Sequence, residues 1–455
     1  MVFAFSAFQM SCKKSFLDQT DPTRILVNNY YNDSAKIATA VNAAYASLRP
    51  IYNKIFPFAE VSSDNSYSIS DGSGNGDFEY FTITSANSTL EAEWTYLYQS
   101  IALCNVVLEN LDSIDMNASV KSRWKSEVKF IRALDYFNLV RIWGDVPLVT
   151  TQILSISDAY QYGRIPVSTV YAQIEKDLSD ADADANLPVK YTSTNDLGRV
   201  TKPAVKGLLA KVYLTENKYN DAASKLFDYI SSYDGSASSL QTTYSNIFLV
   251  TNEMNAEIVF AVRYASSNTP STGSYFTSQF PQYNMRRQDL IDTLKANGAA
   301  DKRIAVTNKY SDVSGYLDAN CDWIVLRYAD ILLMYAEALN EQSVANTAIA
   351  VPYVNRVRNR AGLTNLPTSL TQSQLRYYIE HERRVELNFE GHRWFDLVRT
   401  GRAIAVMNNH FSNYNIVFNK SGAIIQIDDH DLLFPIPLQE INTVGSMVLP
   451  QNPGY

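Results

Sequence analysis

Glu382 is the residue of this chain best placed to do chemistry. Within 371–389, Leu375, Tyr378 and Ile379 recur at helical spacing, and Glu382 falls on the same apolar face. A carboxylate carried into an interior could serve as a general acid or base. Neutralisation is the competing fate. Arg356, Arg358, Arg360, Arg383 and Arg393 lie in neighbouring elements and can pair with Glu382 or Glu386. Bidentate arginine pairing satisfies a carboxylate that is otherwise costly to bury, and this structural role is the better reading. His381-Glu382-Arg383-Arg384-Val385 also departs from the zinc-protease pattern, because Val385 stands where a second histidine is required.

Other reactive patterns fall away in turn. The stretch Gly72-Ser73-Gly74-Asn75-Gly76 has no following Lys-Ser/Thr and no adjoining apolar strand, so it is a loop tip and not a phosphate cradle. No Gly-x-Ser-x-Gly elbow occurs, and with 47 acidic residues carboxylate pairs carry no information about glycosidase chemistry. The cysteines are Cys12, Cys104 and Cys321, an odd number without metal-ligand spacing. We therefore assign no catalytic residue, no metal and no cofactor.

The 455 residues are 46% hydrophobic and 19% charged, enough to bury a large core. A formal net charge of −8, with no long basic run, leaves nothing to neutralise a phosphate backbone, which excludes nucleic acid as a partner. Cys104 sits in an apolar stretch and reads as a small buried hydrophobe. Cys12 ends a short apolar start and is followed by Lys13 and Lys14. Ser11-Cys12 resembles the cleavage box of a bacterial lipoprotein signal. Residues 1–11 would then be removed, and acyl chains on Cys12 would anchor the protein.

The elements that position these residues are mostly helices. Val205, Leu208, Leu209, Val212 and Tyr213 form one helical face just after Pro203, and Ala222, Leu226, Tyr229 and Ile230 form a second after a break at Asn217-Lys218-Tyr219-Asn220. The pair is similar to a degenerate tetratricopeptide unit. A second pair is expected over 327–342 and 347–360, with Gly362 as its C-cap. Further helices are expected at 34–48, 90–111, 120–143, 169–183 and 371–389. Long irregular segments remain at 64–88, 231–243, 266–284 and 408–455. They carry Tyr67, Phe78, Tyr80, Phe81, Tyr275, Phe276, Phe280 and Tyr283, a composition suited to binding loops and not to linkers.

Several blocks together resemble the SusD/RagB family. They are Ser11-Cys12-Lys13-Lys14; Ile131-Arg132-Ala133-Leu134-Asp135-Tyr136-Phe137 with Trp143-Gly144-Asp145-Val146-Pro147-Leu148; Leu326-Arg327-Tyr328-Ala329-Asp330-Ile331-Leu332; Glu382-Arg383-Arg384-Val385-Glu386-Leu387 with Glu390-Gly391-His392-Arg393-Trp394-Phe395-Asp396; and Leu433-Phe434-Pro435-Ile436-Pro437, ending in Gln451-Asn452-Pro453-Gly454-Tyr455. The resemblance implies a mainly α, SusD-like fold built on tetratricopeptide-like helix pairs with long ligand-binding loops. It divides the chain into an N-terminal region, 12–230, and a C-terminal region, 231–455, packed as one globular unit. It also implies a non-catalytic, lipid-anchored protein at the outer-membrane surface. Such a protein would bind an oligosaccharide or polysaccharide and hand it to a SusC-like TonB-dependent transporter. The alternatives are a tetratricopeptide scaffold that binds protein or, less favoured, a glycoside hydrolase.

A sugar ring needs an aromatic plane for its apolar face and nearby amide or carboxylate groups for its hydroxyls. Two loops carry both: Asp64, Asn65, Tyr67 and Tyr80 in the first, and Gln282, Tyr283 and Asn284 in the second. Trp323, next to Asp322, could complete the platform. Trp94, Trp124, Trp143 and Trp394 lie within helices or family blocks and are expected to pack.

Overall fold

The computed structural model describes residues 31–68, 76–264, 284–286, 288–309, 320–342, 346–417 and 422–455. Helices dominate it, and their starts follow from capping chemistry. α1 (Ser34–Tyr52) opens where Asp33 accepts the Lys36 N–H at 2.9 Å. α2 (Ser88–Asn110) and α3 (Ala118–Trp143) open at Asn87 and Asn117, whose side-chain oxygens each accept two first-turn amides. These caps satisfy donors that have no partner inside the helix. α4 (Val167–Ala183) leads to α5 (Lys202–Thr215) and α6 (Tyr219–Tyr233). The second half contains α7 (Gln288–Ala296), α8 (Tyr328–Gln342), α9 (Thr347–Ala361), α10 (Gln372–Glu386), α11 (Arg393–Arg399) and α12 (Ala403–Asn413). Gly362 ends α9 at φ +89°, in the left-handed region that a side chain disfavours.

Each helix packs on its neighbour along the chain from α1 to α6, after which α6 packs on α8, and α8 on both α9 and α10. The hairpin expected after Pro203 is α5–α6, with Leu208, Leu209, Val212, Leu226 and Tyr229 buried. α8 is covered on nearly every side, so its polar Asp330 and Asn340 are buried with its apolar residues. One hydrophobic core runs from Ile37 to Leu449 and draws on both halves of the sequence. Cys104, Trp94, Trp143 and Trp394 belong to it, while Trp124 is half-buried against it. The closing block of the sequence is a clasp on α3. Trp143 Nε1 donates to the Pro435 carbonyl at 3.0 Å, and Asn452 Nδ2 donates to the carbonyls of Trp143 and Phe434.

Two short antiparallel pairs complete the fold. β1 (Ser66–Ser68) pairs with β3 (Asn284–Arg286), and β2 (Ile258–Val262) pairs with β4 (Trp323–Arg327). The segment 64–88, read from sequence as irregular, thus holds β1 and a helical turn, Gly76–Tyr80. Two of its aromatics pack inward, Phe78 as an interior residue and Phe81 half-buried against the core. Phe78 stacks edge-on against Phe58, and Phe81 rests on Trp394 and Phe411. Tyr275, Phe276 and Phe280 lie outside the described residues.

Candidate functional site

The two loops singled out from sequence meet at the β1–β3 ribbon. Its register sets Ser66 opposite Arg286, Tyr67 opposite Met285 and Ser68 opposite Asn284. Because the strands are antiparallel, the chain leaves β1 after Ser68 at the same end at which it enters β3 at Asn284. Strand alternation buries Ser66 and Ser68 and leaves Tyr67 half-buried between them. Tyr80, at the end of the Gly76–Tyr80 turn, is also half-buried. Gln282 and Tyr283 lie outside the described residues.

Asp64 and Asn65, expected to face a ligand, are instead buried and committed to other side chains. Asp64 is 1% exposed and takes two hydrogen bonds from Arg393, at 2.7 and 2.9 Å, with Arg384 at 3.1 Å. Burial alone would raise its pKa, but the two guanidiniums outweigh burial and hold the carboxyl well below the usual range. Asn65 accepts from Arg384 Nε at 3.0 Å and donates to Glu60 at 3.2 Å. Glu60, in the π-helical turn Pro57–Val61, accepts the backbone N–H groups of Gly391 and His392. Burial pushes its pKa up to about 7 against those hydrogen bonds. These residues fasten the root of the ribbon to α10 and α11.

Trp323 is corrected as well. At 2% exposure it packs against Tyr52 and Phe56 in the core, so it offers no face to a sugar. Gly391, at φ +80°, lies beneath the indole, where an added Cβ would stand 3.2 Å from its ring. Neighbouring Asp322 accepts the Tyr264 N–H and pairs with Arg263 at 3.1 Å, and burial raises its pKa to about 7.

The tempting carboxylates form a closed ion network. Glu382 pairs with Arg303 at 2.5 Å and Arg358 at 3.2 Å; Glu386 pairs with Arg303, Arg327 and Arg360. Arg327 also reaches Glu257 and Glu390, and Lys309 reaches Glu390. With Asp301 on Arg303, five acids face five bases. Burial would raise the Glu386 pKa, but Arg360, Arg327 and Arg303 hold it well below the usual range. Pairing of this kind compensates carboxylates that would otherwise be costly to bury. Of the five arginines expected to neutralise these glutamates, Arg358 and Arg360 do so. Arg356 instead pairs with Asp234, Arg383 with Asp330 and Asp396, and Arg393 with Asp64. Arg303 and Arg327, both fully buried, went unnoticed in sequence because neither lies in a stretch whose spacing points to Glu386.

A cleft of about 760 Å³ opens on the helical side between α8, α10 and α11. Glu341 and Arg376, Glu337 and Arg399, and the 64% exposed Tyr377 stand in its walls. None of the sequence-derived contact residues lines it. Among the described residues, Asp428, His430 and Asp431 bring donor atoms within 4.8 Å of one another. There the His430 imidazole spans the two carboxylates and is engaged by both.

The site is thus a helical stack that carries a two-stranded ribbon on an ion-paired base. The SusD family profile matches residues 289–455, and a profile described as "Starch-binding associating with outer membrane" matches residues 15–214. The chain belongs to the SusD/RagB family. It is 25% identical to SusD-like protein P2 of Formosa agariphila, covering 96% of each chain. It is 27% identical to the starch-binding protein SusD of Bacteroides thetaiotaomicron over 82% of this chain and 80% of that one. A solved laminarin-binding SusD-like protein superposes with a TM-score of 0.77 at 27% identity, covering 93% of this chain and all of the other.

Proposed function

We propose that this protein is a non-catalytic glycan-binding protein of the cell surface. It captures an oligosaccharide between the 64–80 and 282–284 loops and delivers it to a SusC-like TonB-dependent transporter. The observation that supports this reading is the pairing of Ser68 with Asn284, which joins the strand bearing Tyr67 to β3 next to the ion-paired Asp64. Tyr67, Tyr80, Tyr283, Gln282 and Asn284 are the proposed contacts. The starch- and laminarin-binding relatives support a carbohydrate ligand. Among the described residues no helix is long and apolar enough to cross a membrane, and a lipid on Cys12 supplies the attachment. The cleft on the helical side is the proposed contact for the transporter.

The test is isothermal titration of the soluble protein, begun after Cys12, against plant, host and microbial oligosaccharides, with product analysis of every sample. Saturable binding without product, weakened at least tenfold by Tyr67→Ala or Tyr283→Ala, is the expected result. Product formation would overturn the non-catalytic reading. Binding unchanged by those substitutions would place the site elsewhere.

A further inference from the structure

Where α3, α5, the segment entering α11 and β4 meet, they line a small pocket of about 30 Å³, room for a single water or an ion of similar size. Its polar walls are unusual in offering hydrogens almost exclusively. Asn138, 1% exposed, gives its side-chain oxygen to Arg141 Nη2 at 2.5 Å. Its Nδ2 has no partner in hydrogen-bonding geometry, although the Tyr52 hydroxyl is close enough to interact. An unpaired buried amide of this kind is costly and calls for an acceptor.

Arg141 supplies the charge. Its guanidinium lies between the rings of Phe137 and Phe395, 4.0 Å from each centroid, and Nε donates to the Phe137 carbonyl. Among the described residues no carboxylate comes within ion-pair distance of it. The neighbouring charges cannot compensate, because they already balance. Glu337, Arg399, Asp396, Arg383, Asp330 and Lys211 form an alternating ladder with contacts of 2.5 to 3.0 Å. Arg141 stands beside this ladder as one surplus positive charge.

Lys211 and His392 complete the wall. Lys211 Nζ lies 2.9 Å from His392 Nδ1. An ammonium can only donate, so Nδ1 accepts and the imidazole proton resides on Nε2. Burial and the Lys211 charge keep His392 neutral. The one acid in the wall, Glu390, is engaged by Arg327 and Lys309. A water here would find donors and few acceptors.

We propose that this pocket is a binding site for one monovalent anion of chloride size, held by Asn138 Nδ2, Arg141 and Lys211. The anion neutralises the surplus charge and ties α1, α3 and α5 to the start of α11. The site is separate from the ribbon and does not depend on the glycan reading.

Crystals of the protein soaked in sodium bromide test the assignment directly, with thermal unfolding in sodium chloride and in sodium gluconate at equal ionic strength as the solution measurement. The expected results are a bromide anomalous peak within hydrogen-bonding reach of Asn138 Nδ2 and Arg141, and a melting temperature about 1–2 °C higher in chloride than in gluconate. Asn138→Asp places a carboxylate beside Arg141, so it should abolish both the peak and the chloride dependence while melting in gluconate no lower than the parent. Absence of the peak, or water at that position, overturns the proposal. A peak with no anion dependence in solution means an adventitious ion only, and overturns it equally. If the variant fails to fold, the parent protein's two measurements decide the matter.

Discussion

Replacing Asp64 by Asn separates an anchoring role from a ligand-contacting one. The substitution preserves shape but removes the charge facing Arg393 at 2.7 and 2.9 Å and Arg384 at 3.1 Å. Breaking a buried ion pair costs roughly 3–5 kcal/mol. Here Arg393 keeps Glu380 at 3.4 Å and Arg384 keeps Asp289 at 3.2 Å, which places the expected loss at the lower end, about 3 kcal/mol. In a chain of this length that is about 3 °C in melting temperature. The pH dependence is a second signature. The folded carboxyl titrates below its unfolded value of about 3.9, so its contribution is complete above that pH and is lost as pH falls through the folded value. Parent and variant should therefore differ by the full amount from pH 6 to 8, and the difference should start to shrink only as pH falls below about 4. Denaturant unfolding across that range measures the difference. If the variant unfolds at the parent's midpoint but loses oligosaccharide binding, Asp64 is a ligand contact and the anchoring argument is wrong.

Glu60 has the opposite sign. Its folded pKa is raised to about 7, so stability present below the unfolded value of about 4.3 is lost as pH rises through 7. Glu60→Gln keeps an acceptor for Gly391 and His392 but removes the titration, so its stability should stay level between pH 4 and 8 while the parent's falls by on the order of 3 kcal/mol in denaturant titrations. Equal slopes for the two proteins would contradict it. Trp323→Ala should cost roughly 3–5 kcal/mol in the same assay while leaving oligosaccharide affinity of the folded protein unchanged. A selective loss of affinity would return Trp323 to the binding surface. Gly391→Ala forces a side chain into positive φ beneath that indole and should destabilise by about 1–2 kcal/mol, read as a lowered unfolding midpoint.

The helical scaffold was legible because its signals are local. The spacing of Val205, Leu208, Leu209 and Val212, the proline at the start of α5 and the glycine after α9 each act within one or two turns. The neutralisation of Glu382 and Glu386 was also legible, since arginine-rich stretches flank a buried helix. Partner identity was not, because Arg303 and Arg327 arrive from segments whose approach depends on the whole stack. Trp323 shows the same limit from the other side. Beside Asp322 and ahead of a helix it reads as exposed, yet strand pairing with Val262 carries it into the core. Asp64 and Asn65 look like sugar ligands by residue type, and only the arrival of Arg384 and Arg393 converts them into fasteners.

Those fasteners join residues far apart in the chain: Asp64 and Arg393 are separated by 329 positions, and Trp143 and Pro435 by 292. During synthesis, the root of the β1–β3 ribbon therefore cannot settle until nearly the whole polypeptide is present. Closing such distant contacts late is slow and leaves the early helices without their final partners. A fragment ending near residue 230 should behave as an unfinished intermediate with exposed apolar helices, prone to association.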